Sequence, residues 1–391
     1  MIDPFTRNPF KTFFMGGFEC ADQLNRKGER INLLKETEHH FRVEQDYQLL
    51  SDMGIRVVRE GICWSEVEKT KEEYDFSNIS SRISAAERHG IQQIWDLIHF
   101  GYPDDLFPTH PMFCERFEKL CLAFARFYKA HAKQNLMVIP INEISFLSWF
   151  SGEDRGTTPY AANSGWDVKY HLCKAAIIGV KALKRTIPAC RIIWAEPLVK
   201  IHGDGSATPG HLHEVNEYAY QAMDMISGKM CPELGGDESF LDIVGLNYYW
   251  NCQWIIYSDT LPWPETEKKR VPLHQLLQEV YDRYERPLFL AETGHFGVGR
   301  VPWMEEITNE CLTALEKQVP IWGICIYPVL DRPDWDDLNR YSNCGLYDLD
   351  RNKNRIPEPG YINAVIQQHR LFAEREGLTH AMTAQGYPLS G

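Results

Sequence analysis

Eight short apolar runs, at residues 13–18, 55–62, 91–98, 136–141, 191–195, 241–247, 287–291 and 321–326, alternate with longer stretches of helical period. The helical stretches fall at 36–53, 79–89, 112–134, 166–186, 214–227, 273–284, 302–317 and 361–376. One helix after each run is the rhythm of parallel βα units. Eight such units close an α/β barrel of the (β/α)8 TIM type, whereas an open doubly wound sheet usually stops at about five or six strands. The 391 residues suit one barrel of about 250 residues enlarged by loop insertions. No linker and no repeat beyond the βα alternation divides the chain, so the expectation is a single domain over 1–391. Its barrel core would span about 13–376, followed by a tail over 377–391.

The longest irregular stretches, 152–165, 200–213, 250–271 and 331–359, follow strands 4, 5, 6 and 8. Loops on that side, together with the carboxyl ends of the strands, build the active face of such a barrel. The strand ends are polar. Strand 2 carries Arg59 and Trp64, strand 3 ends at His99-Phe100, strand 4 at Asn142-Glu143 and strand 6 at Asn247-Tyr248-Tyr249. Strand 7 delivers Glu292, and strand 8 leads to Tyr327, Asp331, Asp334 and Trp335.

Two glutamates thus end strands on facing sides of a small barrel. Carboxyls so placed can converge to about 5–5.5 Å, a separation suited to cleaving a glycosidic bond with retention: one protonates the leaving oxygen while the other attacks the anomeric carbon. Glu143 is the expected general acid/base, its pKa raised by partial burial and by the charge of its partner. Arg59 and the Tyr249 hydroxyl are expected to keep the nucleophile Glu292 ionised. Either glutamate taken singly could instead cap the helix after its strand, and Arg59 could pair with Glu60 or Glu66. Arg59, His99 and Tyr249 on one face with both glutamates favour the catalytic reading. His202, His211 and His213 cluster in a loop with no strand-end carboxylate beside them, and read as surface histidines rather than metal ligands.

A formal net charge of -13 repels phosphate backbones and anionic lipid, which argues against nucleic acid and membrane partners and for a small neutral ligand. No stretch approaches the ~20 apolar residues of a membrane-spanning helix. The opening 1–14 mixes Asp3, Arg7 and Lys11 with prolines and lacks the apolar core of a signal peptide. Eleven cysteines, scattered and without a C-x-x-C pair, read as reduced thiols. A cytoplasmic location follows; no metal or organic cofactor is expected, and a homo-oligomer is left open.

The motifs carry a resemblance. Gly16 followed by Gln23, Arg59-Glu-Gly-Ile-Cys-Trp64-Ser65, Leu97-Ile-His99-Phe100-Gly-Tyr-Pro103 and Asn142-Glu143 lie in the first half of the chain. Asp242-Ile-Val-Gly245-Leu-Asn247-Tyr248-Tyr249, Leu290-Ala-Glu292-Thr-Gly294 and Tyr327-Pro-Val-Leu-Asp331-Arg-Pro-Asp334-Trp335 follow in the second. With them the chain, from about Phe13 to Ala364, resembles glycoside hydrolase family 1, the β-glucosidase and β-galactosidase family. That family belongs to the clan of retaining barrel enzymes with catalytic glutamates on strands 4 and 7.

The resemblance implies an exo-acting retaining β-glycosidase that takes a small carbohydrate or glycoside, with Glu292 as nucleophile and Glu143 as acid/base. It also implies that Gln23 hydrogen-bonds sugar hydroxyls, Arg59 steadies the nucleophile, His99 and Phe100 line the glycone subsite, and Asn142 holds the 2-hydroxyl. Tyr249 would bond the nucleophile, while Asn247, Tyr327, Asp334 and Trp335 would complete the sugar contacts. Departures touch substrate more than reaction: Ile144 replaces a usual proline, Ala291 and Thr293 a threonine and an asparagine, Tyr327 a tryptophan, and Asp334 a glutamate one methylene longer. They leave open a sister activity of the clan (β-mannosidase, endo-glucanase or transglycosidase) or a carbohydrate-binding barrel without turnover.

Overall fold

The computed structural model describes residues 8–264 and 269–375. The start of the chain, 1–7, lies outside the described residues, as do the last position of the final expected helix, Glu376, and the tail expected over 377–391. The barrel strands are Phe14–Gly17, Val57–Gly61, Gln92–Ile98, Met137–Ile141, Arg191–Pro197, Ile243–Asn247, Leu288–Thr293 and Ile321–Ile326. Each pairs in parallel with its neighbours in the chain, and Gly16 of the first pairs with Ile326 of the eighth, which closes the sheet. The eight apolar runs therefore form a (β/α)8 barrel, every bound within two residues of the sequence reading.

The runs look uniformly apolar because both faces are buried. Met15, Val57, Ile94, Ile139, Ile193 and Phe289 fill the barrel, closed at the amino ends of the strands by Phe10 and Trp322. The alternate residues Phe14, Val58, Trp95, Val138 and Ile192 face the helices. The helix Phe113–His131 shows how the outer ring attaches. Phe113, Phe117, Leu120, Cys121, Phe124 and Tyr128 are buried at three- and four-residue spacing, with Lys129 and His131 in the last turn beside the negative end of the helix dipole.

The structure corrects two helices. The stretch 36–53 is two helices, Leu33–Glu36 and His39–Asp52, separated at Glu38, which has φ 55°. The break lets His39 stack on Phe18, ring centroids 3.6 Å apart, and bridge Asp46 (2.8 Å) and Glu60 (2.9 Å) in the core. The stretch 214–227 begins earlier, as Pro209–Glu217, because the Thr208 side chain accepts from the His211 N–H and Pro209 opens the first turn. It then passes through a tight turn into Gln221–Ile226. Two small sheets also lie inside loops read as irregular: Lys200–His202 with Gln253–Ile255, parallel, and Tyr347–Leu349 with Arg355–Pro357, antiparallel.

One glycine of the first strand fixes the floor of the barrel mouth. A Cβ on Gly17 would stand 2.1 Å from Cδ2 of Tyr327, which is buried and cannot retreat. Gly17→Ala is expected to destabilise the fold by about 1–3 kcal/mol, seen as a lower urea midpoint with an unchanged slope. An unshifted midpoint would show that the Tyr327 ring is free to move.

Candidate active site

The carboxyl ends of the strands open into one cavity of about 1310 Å³, and Glu143 and Glu292 both line it. Their surroundings differ. Glu292, at the end of the seventh strand, is held from both oxygens: Arg59 Nη1 donates to Oε1 at 2.7 Å and the Tyr249 hydroxyl to Oε2 at 2.8 Å. Arg59 is buried and directs every N–H at an acceptor. Nε and Nη2 bond Asp96 (3.0 and 2.6 Å), Nη2 also bonds Asn142 Oδ1 (2.7 Å), and Nη1 bonds the Ala291 carbonyl (3.1 Å) as well as Glu292. The pairing with Glu60 or Glu66 is not used; Arg82 and His39 take Glu60 instead.

Among the described residues the Glu143 carboxyl accepts one hydrogen bond, from Asn247 Nδ2 at 2.8 Å, and no cation pairs with it. Burial and then the charge of Glu292 push its carboxyl well above the usual range. Its backbone is left-handed, φ 49°, a costly conformation for a residue with a Cβ. The fifth strand holds it there. The Glu143 N–H donates to the Ala195 carbonyl at 2.7 Å, and the Glu196 carboxylate accepts from the next two N–H groups, Ile144 (2.6 Å) and Ser145 (3.1 Å). Burial likewise raises Tyr249, then the Glu292 charge adds to it, so the phenol stays a donor.

His99, Phe100, Tyr249, Tyr327 and Trp335 share the cavity wall with the glutamates. His99 Nδ1 bonds Asp96 at 2.7 Å and Nε2 lies 3.3 Å from the Tyr327 hydroxyl. Burial favours neutral His99, but the Asp96 bond and the Glu19 charge outweigh it and raise the imidazole. Trp335 packs edge-on to Phe100, centroids 5.3 Å apart, and its buried Nε1 has no partner among the described residues. Arg59, Asn142 and Asn247 sit behind the wall, where they bond the carboxylates and each other. Trp64 is buried away from the cavity, bonded to Glu68 at 2.6 Å.

Besides Asn142 and Asn247, two further expected sugar contacts do not line the cavity. Gln23 does not line the cavity: it is buried with both amide atoms unpartnered among the described residues. Asp334 turns outward to Arg340 at 2.6 Å and accepts from the Asp336 N–H. Glu19 and Arg332, singled out by no motif, do line the cavity. Glu19 Oε2 meets Arg332 Nε at 3.3 Å and Oε1 lies 3.5 Å from His99 Nε2, while the Arg332 guanidinium lies over Trp335. A signal for Glu19 existed. It stands two residues past the first strand, as Glu143 and Tyr249 stand two past the fourth and sixth.

Cys20, Asp96 and His99 place possible ligand atoms within 4.8 Å of one another. Arg59 and His99 already occupy the Asp96 carboxylate, and burial pushes the Cys20 thiol far above the thiolate range, so the group suits an internal hydrogen-bond network rather than a cation. His202 bonds Gln253 at 2.9 Å and His211 bonds Tyr257 at 2.7 Å. All eleven cysteines are free, and among the described residues no helix is long and apolar enough to cross a membrane.

No family model matches the sequence, and no curated protein matches it. Solved structures do. A β-glucosidase from Thermotoga maritima in complex with glucoimidazole superposes with a TM-score of 0.74 at 15% identity, covering 92% of this chain and 98% of that one. The family 1 β-glucosidase of Thermotoga maritima gives 0.72 at 14%, covering 92% and 98%, and its complex with azafagomine 0.72 at 14%, covering 94% and 99%. Across nearly the whole of both chains, this protein has the (β/α)8 fold of the family 1 β-glucosidases.

Proposed function

We propose that the protein is a retaining glycosidase of β-linked sugars, acting from one catalytic domain without metal or organic cofactor. The observation that carries this reading is the unequal pair of carboxyls on one cavity. Glu292 is tied to a cation and a phenol, whereas burial and then the charge of Glu292 push the Glu143 carboxyl well above the usual range. The ligands named with the similar structures, glucoimidazole and azafagomine, are carbohydrate-like and agree with it.

In the first step Glu292 attacks the anomeric carbon, the glycosidic bond breaks, and the Glu143 proton passes to the departing oxygen. Esterified Glu292 no longer carries charge, so one of the causes that raise Glu143 disappears and its carboxyl becomes a better base. Glu143 then takes a proton from water as that water attacks the same carbon, and Glu292 leaves as the carboxylate. Asn247 and Arg59 keep the two glutamates in register, each with a bond to Asn142. Glu19 and Arg332, rather than Gln23 and Asp334, face the outer hydroxyls of the glycone. The free thiols support a reducing, cytoplasmic setting.

Proton NMR during hydrolysis of aryl β-glucosides, β-galactosides and β-mannosides tests the reading. The sugar should appear first as the β-anomer and only then mutarotate. First appearance of the α-anomer, or no hydrolysis across the panel, would refute it.

A further inference from the structure

The cavity that holds the two carboxyls is also lined by the loops after strands 4, 5 and 6, and there its wall changes character. The parallel pair Lys200–His202 and Gln253–Ile255 sets Ile201 beside Trp254 in register, and Val199, Val215 and Ala219 extend the same lining. The helix Pro209–Glu217, which supplies Val215, buries none of its residues. Trp149 and Trp166 line the cavity too, each 49% exposed. Large rings and branched aliphatic side chains left open to water beside a reaction centre mark a surface that a ligand covers.

Size and chemistry narrow the occupant. Pockets for ordinary small ligands run to about 300–1,000 Å³, and at about 1310 Å³ this cavity exceeds them; a single sugar would leave most of it empty. A second or third sugar fits the space but not the aliphatic part of the wall. Val199, Ile201, Val215 and Ala219 offer no donor or acceptor, so hydroxyls laid against them would be stripped of water without replacement. The cation nearby is already engaged: Lys169 Nζ donates to Gln221 Oε1 at 2.9 Å and to the Tyr218 carbonyl at 3.2 Å.

We infer that this gallery receives the leaving group, and that the substrates are β-glycosides of extended apolar aglycones, alkyl chains or fused rings, rather than oligosaccharides. The inference rests on the glycosidase reading and adds the class of aglycone to it.

The test is kcat/KM for methyl, butyl and octyl β-D-glucosides, -galactosides and -mannosides, below their micelle concentrations, with cellobiose as the polar comparison. A methylene moved from water onto an aliphatic wall contributes up to ~4-fold, so the octyl to methyl ratio is expected to be on the order of 10²–10³. Val215→Asp should pull that ratio, measured within the variant, toward unity, and Ile201→Thr, a milder change, should lower it without threatening the fold. Calorimetry with methyl and octyl β-D-thioglucoside, -galactoside and -mannoside reads the gallery without turnover. If methyl glycosides are hydrolysed but neither rate nor binding grows with chain length, or if cellobiose outperforms the octyl glycosides, the inference falls and the glycosidase reading stands. Binding that tightens with chain length while no glycoside is cleaved would overturn the glycosidase reading and the leaving-group role with it.

Discussion

Glu292→Gly should lower kcat on an aryl β-glycoside by on the order of 10⁴–10⁶-fold, and azide should restore product as the glycosyl azide of inverted configuration. The size follows from losing the bond-forming group. With no nucleophile the reaction must wait for water at a carbon that only Glu143 still assists, a deficit of about 5–8 kcal/mol in the barrier. The small side chain leaves room for azide on the face where the carboxylate stood, and an intact Glu143 still protonates the departing oxygen, hence inversion. Arg59 keeps Asp96 and Asn142 as partners in this variant, so its charge is not left alone in the core. Near-parental turnover in Glu292→Gly, or rescue that gives the retained azide, would rule out Glu292 as the nucleophile.

Glu143→Ala should behave differently. Loss of a general acid/base costs about 10²–10⁴-fold, and the loss should shrink as the leaving group becomes more acidic, because such a group departs without a proton. Azide should now return the retained product, since it attacks the glycosyl-enzyme in place of the activated water. The pH profile gives an independent readout. Burial and the Glu292 charge raise the Glu143 carboxyl, so kcat/KM of the parent should fall as pH rises through that elevated value and the acid form is lost. In Glu143→Ala this alkaline limb should vanish. A variant that keeps the limb would show that another group supplies the proton.

The barrel was legible because its cause is local and repeated. A strand covered on both faces needs apolar side chains at successive positions, so runs such as 136–141 and 321–326 announce themselves without knowledge of their neighbours. The two glutamates were legible for a related reason: counting to a strand end is enough to place a residue on the active face. Contacts made across long separations were not. The pairing of Ile201 with Trp254 joins loops after different strands, and neither segment has a strand pattern of its own. The break at Glu38 depends on Glu60 of the second strand reaching His39, which Asp46 on its own helix also bonds.

Gln23 and Asp334 show the limit of motif matching. Both fall where the resembling family has sugar contacts, yet the fold turns Asp334 to Arg340 and buries Gln23 with its amide atoms unpartnered among the described residues. Glu19 and Arg332 line the cavity as an ion pair that no spacing rule joins, since 313 residues separate them and only barrel closure brings the first and eighth strands together.

The amino-acid order by itself determined the number of strands, their direction and the face on which Glu143 and Glu292 emerge, because hydrophobic period and chain position are properties of short segments. The tertiary structure alone decided the burial and the neighbouring charges that raise the Glu143 carboxyl, and what else the cavity can accept. A pKa is set by every charge and every missing water around a group, and a pocket wall by side chains from distant loops; both come into being only when the barrel closes.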